Sequence, residues 1–281
     1  MNLFEQTVNA VLANKKSYTA LRPVVEKEIL HQDILRILSK AGVLQKLTFM
    51  GGTCLRTCYG FERLSEDLDF SGGFKFKKEE LADIGDVLKK AIWQKYNLKL
   101  DVLEPVKEKG NTQTWKIKII TAPEQPHLPQ QQINIDICML PSYESRPTML
   151  KNHYGLETGI SGLIIMAESL TEILADKIVA LALRPNRVKN RDLWDIYQIK
   201  GHNTEISIDL VKQKLLDRRV DFSAFKQYYT ERLTQLQTQQ KEFLREMQRF
   251  ISPEVINNDM TDKLWWESLL YLLKDWGDII Q

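Results

Sequence analysis

From Ser169 onward the hydrophobic period of this chain is helical throughout, and that lasting change constrains the fold more than any other feature. Between residues 98 and 140, LKLDVLEPV, TWKIKIITA and QQINIDICML alternate apolar and polar residues with period two, as half-buried strands do. KEKGN and the proline-rich APEQPHLPQQ separate them. From Ser169 the period becomes helical: TEILADKIVALALRP is a strongly periodic helix ended by Arg184-Pro185, and NRDLWDIYQIK begins another. Nearly all of residues 208–281 follows the same pattern. Upstream, Ser17 to Leu47 is helical and LTFM is strand-like. A helix fits Thr53 to Tyr59, a second strand Asp67 to Phe70, and an amphipathic helix closing on Trp93 fits Lys78 to Lys95. This order implies an α+β fold, with a mixed sheet and flanking helices over residues 1–168 and a helical domain over residues 169–281.

Composition narrows the class. Three cysteines, Cys54, Cys58 and Cys138, without a CxxC pair, and four scattered histidines, argue against a structural zinc site or a disulfide framework. The cysteines read as small buried apolar residues. A net charge of +2 is too mild to indicate nucleic-acid binding by itself. The N-terminus lacks a continuous apolar core and no run of about 18 apolar residues occurs, so the expectation is a cytoplasmic protein with no membrane partner. Trp265, Trp266, Tyr271 and Trp276 recur at helical spacing and read as core or interface.

The segment FMGGTCLRTCYGFERLSEDLDFS carries the chemistry. Residues two apart on a strand point to one face, so Asp67 and Asp69 present neighbouring carboxylates. Two readings fit: a solvated strand face, or a magnesium site in which the cation offsets the repulsion and is completed by water and phosphate oxygens. Asp136, inside the apolar run Ile135-Asp136-Ile137, adds a third acid that is costly to bury alone. Gly51-Gly52 lies at a strand-to-helix turn, where the backbone can approach a ligand and free N–H groups favour an anionic phosphate. Arg56 and Arg63 either neutralise phosphates or pair with Glu62 and Glu66. Ser65 either assists phosphate binding or caps a turn. Lys177, on a long helix, pairs with Glu172 or Asp176 or faces solvent in the plainest reading.

Gly51-Gly52, Asp67-Leu68-Asp69-Phe70 and Asp136 together resemble the signature of DNA polymerase beta-type nucleotidyltransferases. More closely, GGTCLRTCYGFERLSEDLDFS, with LRPVVEKEILHQDILRILSKAG upstream and EILADKIVALALR and NRDLWDIYQI downstream, resembles the AbiEii/AbiGii family of bacterial nucleotidyltransferase toxins. The resemblance implies an enzyme that moves a nucleoside monophosphate from an NTP to an acceptor, releases pyrophosphate, and serves a toxin–antitoxin or phage-defence pair. It assigns magnesium, one ion or two, to Asp67, Asp69 and Asp136, with Asp136 helping to activate the attacking hydroxyl. Gly51, Gly52 and Thr53 would hold the triphosphate through backbone N–H groups and the threonine hydroxyl, beside Arg56 and Ser65. Lys177 would reach the phosphates, with Asp192 completing the site from the helical domain. The resemblance also implies tRNA as the acceptor and an antitoxin that is a transcriptional regulator. Lys75, Lys77 and Lys78, with Arg184, Arg187, Lys189 and Arg191, offer a basic approach for RNA or are solvated charges. Two rival readings stand beside this one: nucleotidyl transfer to a protein or to a small molecule such as an aminoglycoside, and a catalytically silent nucleotide-binding module.

Overall fold

The computed structural model describes residues 2–106, 110–125, 127–156, 159–185, 187–260 and 262–280, excluding the side chains of 258 and 259. Residues 107–109 of KEKGN and Pro126 of the proline-rich segment lie outside the described residues. The chain divides into two compact units, Met1–Glu168 and Ser169–Gln281.

In the first unit, α1 (Leu3–Asn14) is capped by Asn2, whose side chain accepts from the Glu5 N–H at 2.8 Å. Helix α2 (Arg22–Lys40) starts with a proline in its first turn, and Gly42 at φ +74° ends the run. Strand β1 (Thr48–Met50) passes directly into α3 (Gly51–Cys54), which continues as a π-helical turn over Leu55–Tyr59. Helix therefore begins at Gly51, two residues before the sequence places it. Strand β2 (Leu68–Ser71) follows, with Asp67 standing just ahead of it rather than in it.

A 3-10 turn at Lys78–Leu81 precedes α4 (Ile84–Tyr96). Trp93 does not close that helix onto the core; it is 49% exposed, and Ile92 and Tyr96 are buried in its place. Strands β3 (Leu100–Leu103), β4 (Thr112–Ile119) and β5 (Gln131–Cys138) occupy the three period-two runs. Two further strands lie outside every strand-like pattern of the sequence, β6 (Ser145–Met149) and β7 (Ile164–Glu168).

The seven strands form one mixed sheet in the order β3-β4-β5-β2-β1-β7-β6. The β2–β5 and β1–β7 pairs are parallel and the other four are antiparallel. One face of its larger half is apolar: Leu68, Phe70, Trp115, Ile117, Ile119, Ile133, Ile135 and Ile137 are all buried. Helices α2 and α4 contact this half of the sheet at β5 and β3. Each buried isoleucine or leucine there contributes about 1.5–3 kcal/mol. The alternate residues, Asp69, Thr114, Lys116, Lys118, Gln132, Asn134 and Asp136, are half-buried or exposed on the opposite face. Period two thus sorts the core from the chemistry.

Polar ties hold the helices against each other. The buried Asp33 of α2 accepts from Lys95 at 2.7 Å, from the Tyr96 hydroxyl at 2.6 Å and from Arg36 at 3.1 Å.

The second unit is helical: α5 (Leu170–Leu183), α6 (Asn190–Gly201), α7 (Ile208–Asp217), α8 (Phe222–Leu236), α9 (Gln240–Met247), α10 (Pro253–Val255) and α11 (Lys263–Ile280). Its core includes Phe225, Tyr229, Phe243, Trp266 and Trp276, so two of the four spaced aromatics are buried, while Tyr271 is exposed. The buried Lys214 of α7 bridges Glu172 at 2.6 Å and Asp176 at 2.9 Å on α5. No helix among the described residues is long and apolar enough to cross a membrane.

Asp33→Ala is expected to destabilise the first unit by about 3 kcal/mol, because Lys95 and the Tyr96 hydroxyl lose a buried partner. A thermal unfolding midpoint within a degree of wild type would show that the α2–α4 tie carries no such weight.

Candidate functional site

Strand pairing brings the acids together. Asp69 of β2 is the register partner of Asp136 in the parallel neighbour β5, and of Met50 in β1 on its other side. Asp67, one step before the strand, accepts the Asn134 N–H at 3.2 Å. Asp136 in turn accepts the Thr114 hydroxyl at 2.5 Å, from its partner across β4. All three carboxylates are half-buried. Hard oxygen donors on two adjacent strand ends suit a divalent cation such as magnesium, so the donor set fits the metal that the resemblance implies.

The glycine turn is shaped by these acids. Gly51 has φ +73°, and a Cβ placed there would stand 2.6 Å from Oδ2 of Asp69. Glycine is required on both counts, by backbone conformation and by the close approach of the carboxylate. A Cβ on Gly52 would lie 2.3 Å from the Arg63 guanidinium and 3.3 Å from the Ser65 hydroxyl. Arg63 thus sets a cation directly beneath the turn.

Two expected phosphate ligands are used structurally instead. The Thr53 side chain is fully buried; its hydroxyl donates to the Asp67 carbonyl and lies 2.7 Å from the Ser65 hydroxyl. It ties the helix to the residue that opens the Asp-x-Asp stretch. Arg56 is 2% exposed and directs Nε to both oxygens of Glu28 at 3.2 Å and Nη1 to the carbonyls of Phe61 and Glu62 at 3.0 and 3.3 Å. Its expected place among the phosphate contacts is therefore corrected: the charge is consumed inside the core, and with a partner in α2 rather than Glu62 or Glu66. Burial works against the Arg56 charge, yet Glu28, Tyr154 and Tyr18 around it raise its pKa above the usual arginine value.

Glu28 is a site residue that the motifs do not reveal. Besides Arg56, its carboxylate accepts the Ser65 N–H at 3.1 Å and the Tyr154 hydroxyl. Lys27 pairs with Glu66 at 2.8 Å, and His31 Nε2 meets the Glu66 carbonyl at 3.0 Å. One face of α2 therefore fixes the segment that runs from the glycine helix to the aspartates. The signal available in the sequence is EKEILHQD, a polar cluster inside an otherwise apolar helical period.

In the helical unit, Lys177 is held by Asp192 at 2.6 Å and Asp195 at 2.8 Å, and Arg184 reaches the second oxygen of Asp192 at 3.1 Å. Burial opposes the Asp192 charge, but Lys177, Lys189 and Arg184 outweigh it and hold its carboxyl well below the ordinary carboxylate range. Glu172 and Asp176, the alternative partners of Lys177, are taken by Lys214. Arg191 lies over the Phe250 ring at 4.5 Å, and Lys75, Lys77 and Lys78 are exposed. Cys54 and Cys58 are buried free thiols, while Cys138 is half-buried.

Residues 33–266 match the family described as "Nucleotidyl transferase AbiEii toxin, Type IV TA system". The chain belongs to this family: it is a nucleotidyltransferase, the toxin of a type IV toxin–antitoxin system. Among solved structures it is similar to MenT4, a nucleotidyltransferase toxin from Mycobacterium tuberculosis, at 15% identity and TM-score 0.54 over 95% of this chain and 98% of that one. It is also similar to JHP933 from Helicobacter pylori, at 18% identity and TM-score 0.47 over 92% and 91% of the two chains. A nucleotidyltransferase described as putative from H. pylori matches at 17% identity and TM-score 0.45 over 90% and 92%. No curated protein matches in sequence.

Gly51→Ala and Gly73→Ala separate backbone strain from the carboxylate contact, since Gly73 has φ +70° but open space around its Cβ direction. Gly73→Ala is expected to cost about 1–2 kcal/mol of stability, and Gly51→Ala more, because its Cβ also meets Asp69. Only Gly51→Ala is expected to lose nucleotidyl transfer, by at least tenfold, and equal activity in the two variants would show that the Asp69 contact is immaterial.

His153 packs its Nε2 at 2.6 Å from the Arg56 carbonyl, and burial, with Arg56 nearby, pushes its pKa down to about 4. The folded state thus resists a proton that the unfolded chain takes up near pH 6.5. Its stability contribution is full above that pH and is lost as pH falls from about 6.5 towards 4. Burial lowers His31 in the same direction. His153→Gln should flatten the fall of the unfolding midpoint across this window, and an unchanged slope would remove His153 from the acid response.

Proposed function

We propose that the chain transfers a nucleoside monophosphate from an NTP to the 3′ end of a tRNA in a magnesium-dependent reaction, with Asp67, Asp69 and Asp136 as the metal-holding and proton-accepting centre. The observation that carries this reading is the register pairing of Asp69 with Asp136, beside a glycine turn that leaves no room for a side chain against Asp69. The three carboxylates would hold one or two magnesium ions, which when bound neutralise charge on the phosphates and lower the barrier to in-line displacement.

The chain's own groups do the rest. Backbone N–H groups at Gly51, Gly52 and Thr53 bind and orient the triphosphate, while Arg63, buried beneath the turn and donating to the Leu64 carbonyl, supports it from within. Asp136, placed by the Thr114 hydroxyl, takes the proton of the acceptor hydroxyl as its oxygen bonds to the α-phosphorus. The bond to the β-phosphate oxygen breaks and pyrophosphate leaves. The Thr53 hydroxyl, itself beside the Ser65 hydroxyl, holds Asp67 in place through its carbonyl. Lys177, with Asp192 orienting its ammonium, is the phosphate contact that the resemblance assigns to the helical unit. The antitoxin expected with such a toxin is a transcriptional regulator, and the protein is expected in the cytoplasm.

The test is incubation with magnesium, each α-labelled NTP separately and total RNA, resolved on a denaturing gel. Label in a tRNA-sized band with wild type, and a loss of at least a hundredfold in a folded Asp69→Asn variant, is the expected result. Undiminished labelling by Asp69→Asn would end the metal assignment, and label in protein or a small molecule would replace the acceptor. Lys177→Ala should raise the NTP KM about tenfold, and an unchanged KM would return Lys177 to a structural role.

A further inference from the structure

The polar face of the sheet does not end at the aspartates. Thr114 stands opposite Asp136, Lys116 opposite Asn134, and Lys118 opposite Gln132 in the β4–β5 register. Because successive register positions two apart share a face, these six side chains form two parallel rows on the face that also carries Asp69. The next strand outward, β3, adds Leu103 opposite Lys116 and Asp101 opposite Lys118. Lys116, Gln132, Asp101 and Leu103 are exposed, and Lys118, Asn134 and Thr114 are half-buried.

The lysines are the unusual members. Elsewhere many of the chain's cations are committed to carboxylates: Lys27 to Glu66, Lys46 to Glu80, Lys95 to Asp33, Lys177 to Asp192 and Lys214 to Glu172. Lys116 and Lys118 make no ion pair among the described residues. Asp101 at the sheet edge is the register partner of Lys118, which leaves Lys116 the stronger of the two for an incoming anion. Two ammonium groups without an ion pair, flanked by the amides of Gln132 and Asn134, therefore line a polar strip about two strands wide that ends at Asp136.

We infer that this β4–β5 face is the acceptor track: the terminal nucleotides of an RNA strand lie across it, with backbone phosphates on Lys116 and Lys118, so that the last hydroxyl arrives at Asp136. The inference rests on the proposed transfer to RNA and names the surface that would select it. Charge complementarity supports a polyanion, and the direction of the path supports an acceptor rather than the NTP, since it leads away from the glycine turn by way of β5 and β4. An exposed polar sheet face with amide side chains suits an unpaired strand better than a small molecule, which binds in a concave pocket.

The experiment compares wild type, Lys116→Glu/Lys118→Glu and the control Lys90→Glu, an exposed position on α4. Two quantities are measured: equilibrium binding of labelled tRNA at several salt concentrations without NTP, and transfer kinetics varying RNA and NTP separately. The expected result is a loss of tRNA affinity of at least tenfold in the double variant. The slope of log affinity against log salt should be shallower by about 1.4, because two phosphate contacts are lost at about 0.7 each. The RNA KM should rise while the NTP KM stays within twofold, and Lys90→Glu should behave as wild type. Tight binding and normal RNA KM in the double variant would overturn the track while leaving RNA transfer standing. If wild type neither binds nor labels RNA, the track and the tRNA acceptor fall together. An NTP KM raised beyond twofold with unchanged RNA binding would assign the lysines to the triphosphate and also overturn the track.

Discussion

The parallel pairing of β2 with β5 is the contact on which the first unit's chemistry depends. It sets Asp69 opposite Asp136 on strands about 4.8 Å apart, and like charges at that separation repel by several kcal/mol where water is partly excluded. The pairing persists because the other face of the same strands is apolar. Leu68, Phe70, Ile135 and Ile137 are buried at adjoining register positions. A one-residue slip of β2 would expose Leu68 and Phe70 and bury Asp69, so the hydrophobic face fixes the register that the carboxylates oppose. The apolar face thus holds two carboxylates side by side that would otherwise separate.

Register alone would leave Asp67 loose, since it precedes the strand. Its position comes from the Thr53 hydroxyl on its carbonyl and from the grip of α2 on the residues before it. Glu28 is central to that grip, because its carboxylate is shared by Arg56, the Ser65 N–H and Tyr154. A buried pair of this kind adds little net stability over an apolar substitute, but removing one partner is costly, so it specifies one arrangement rather than strengthening it. Arg56 then passes the constraint to the carbonyls of Phe61 and Glu62. The helix bearing the glycine turn and the strand bearing the acids are thus held by one charged core, which explains an arginine so near the aspartates yet so far from solvent.

Much of this is legible in the sequence and some is not, for identifiable reasons. The period-two runs form β3, β4 and β5 because alternation on a half-covered sheet is a direct consequence of pleating. Asp69 and Asp136 stand out because each interrupts an apolar strand, whereas Asp67 only precedes one. Strand β6 gives no such signal, being an exposed edge strand that contains Pro147 and has no alternation to read. Strand β7 is hidden because LIIMAE is a short continuous apolar run, which periodicity cannot assign. Arg56 misleads because a basic residue beside a phosphate-binding motif looks alike in sequence whether its partner is a ligand or a buried Glu28 twenty-eight positions upstream. Only the fold distinguishes them. The Lys116 and Lys118 row is obscure for a related reason: each looks like the ordinary polar half of an amphipathic strand until register sets it opposite Asn134 and Gln132, on the face that carries Asp136.

The same distinction between committed and uncommitted cations bears on Lys177. Its ammonium is shared by Asp192 and Asp195, both buried, and Arg184 sits on the far side of Asp192. An ammonium so placed has only part of its charge to offer an incoming phosphate. An anion must compete with hydrogen bonds of 2.6 and 2.8 Å already made to these two carboxylates. What the arrangement supplies is position rather than net attraction: a lysine side chain carries about 2 kcal/mol of rotamer entropy when free, and here that cost is met in the folded protein before any ligand arrives. In the proposed reaction Lys177 would therefore orient a phosphate oxygen rather than draw it in, and the proposed attraction of RNA would rest on cations without such partners.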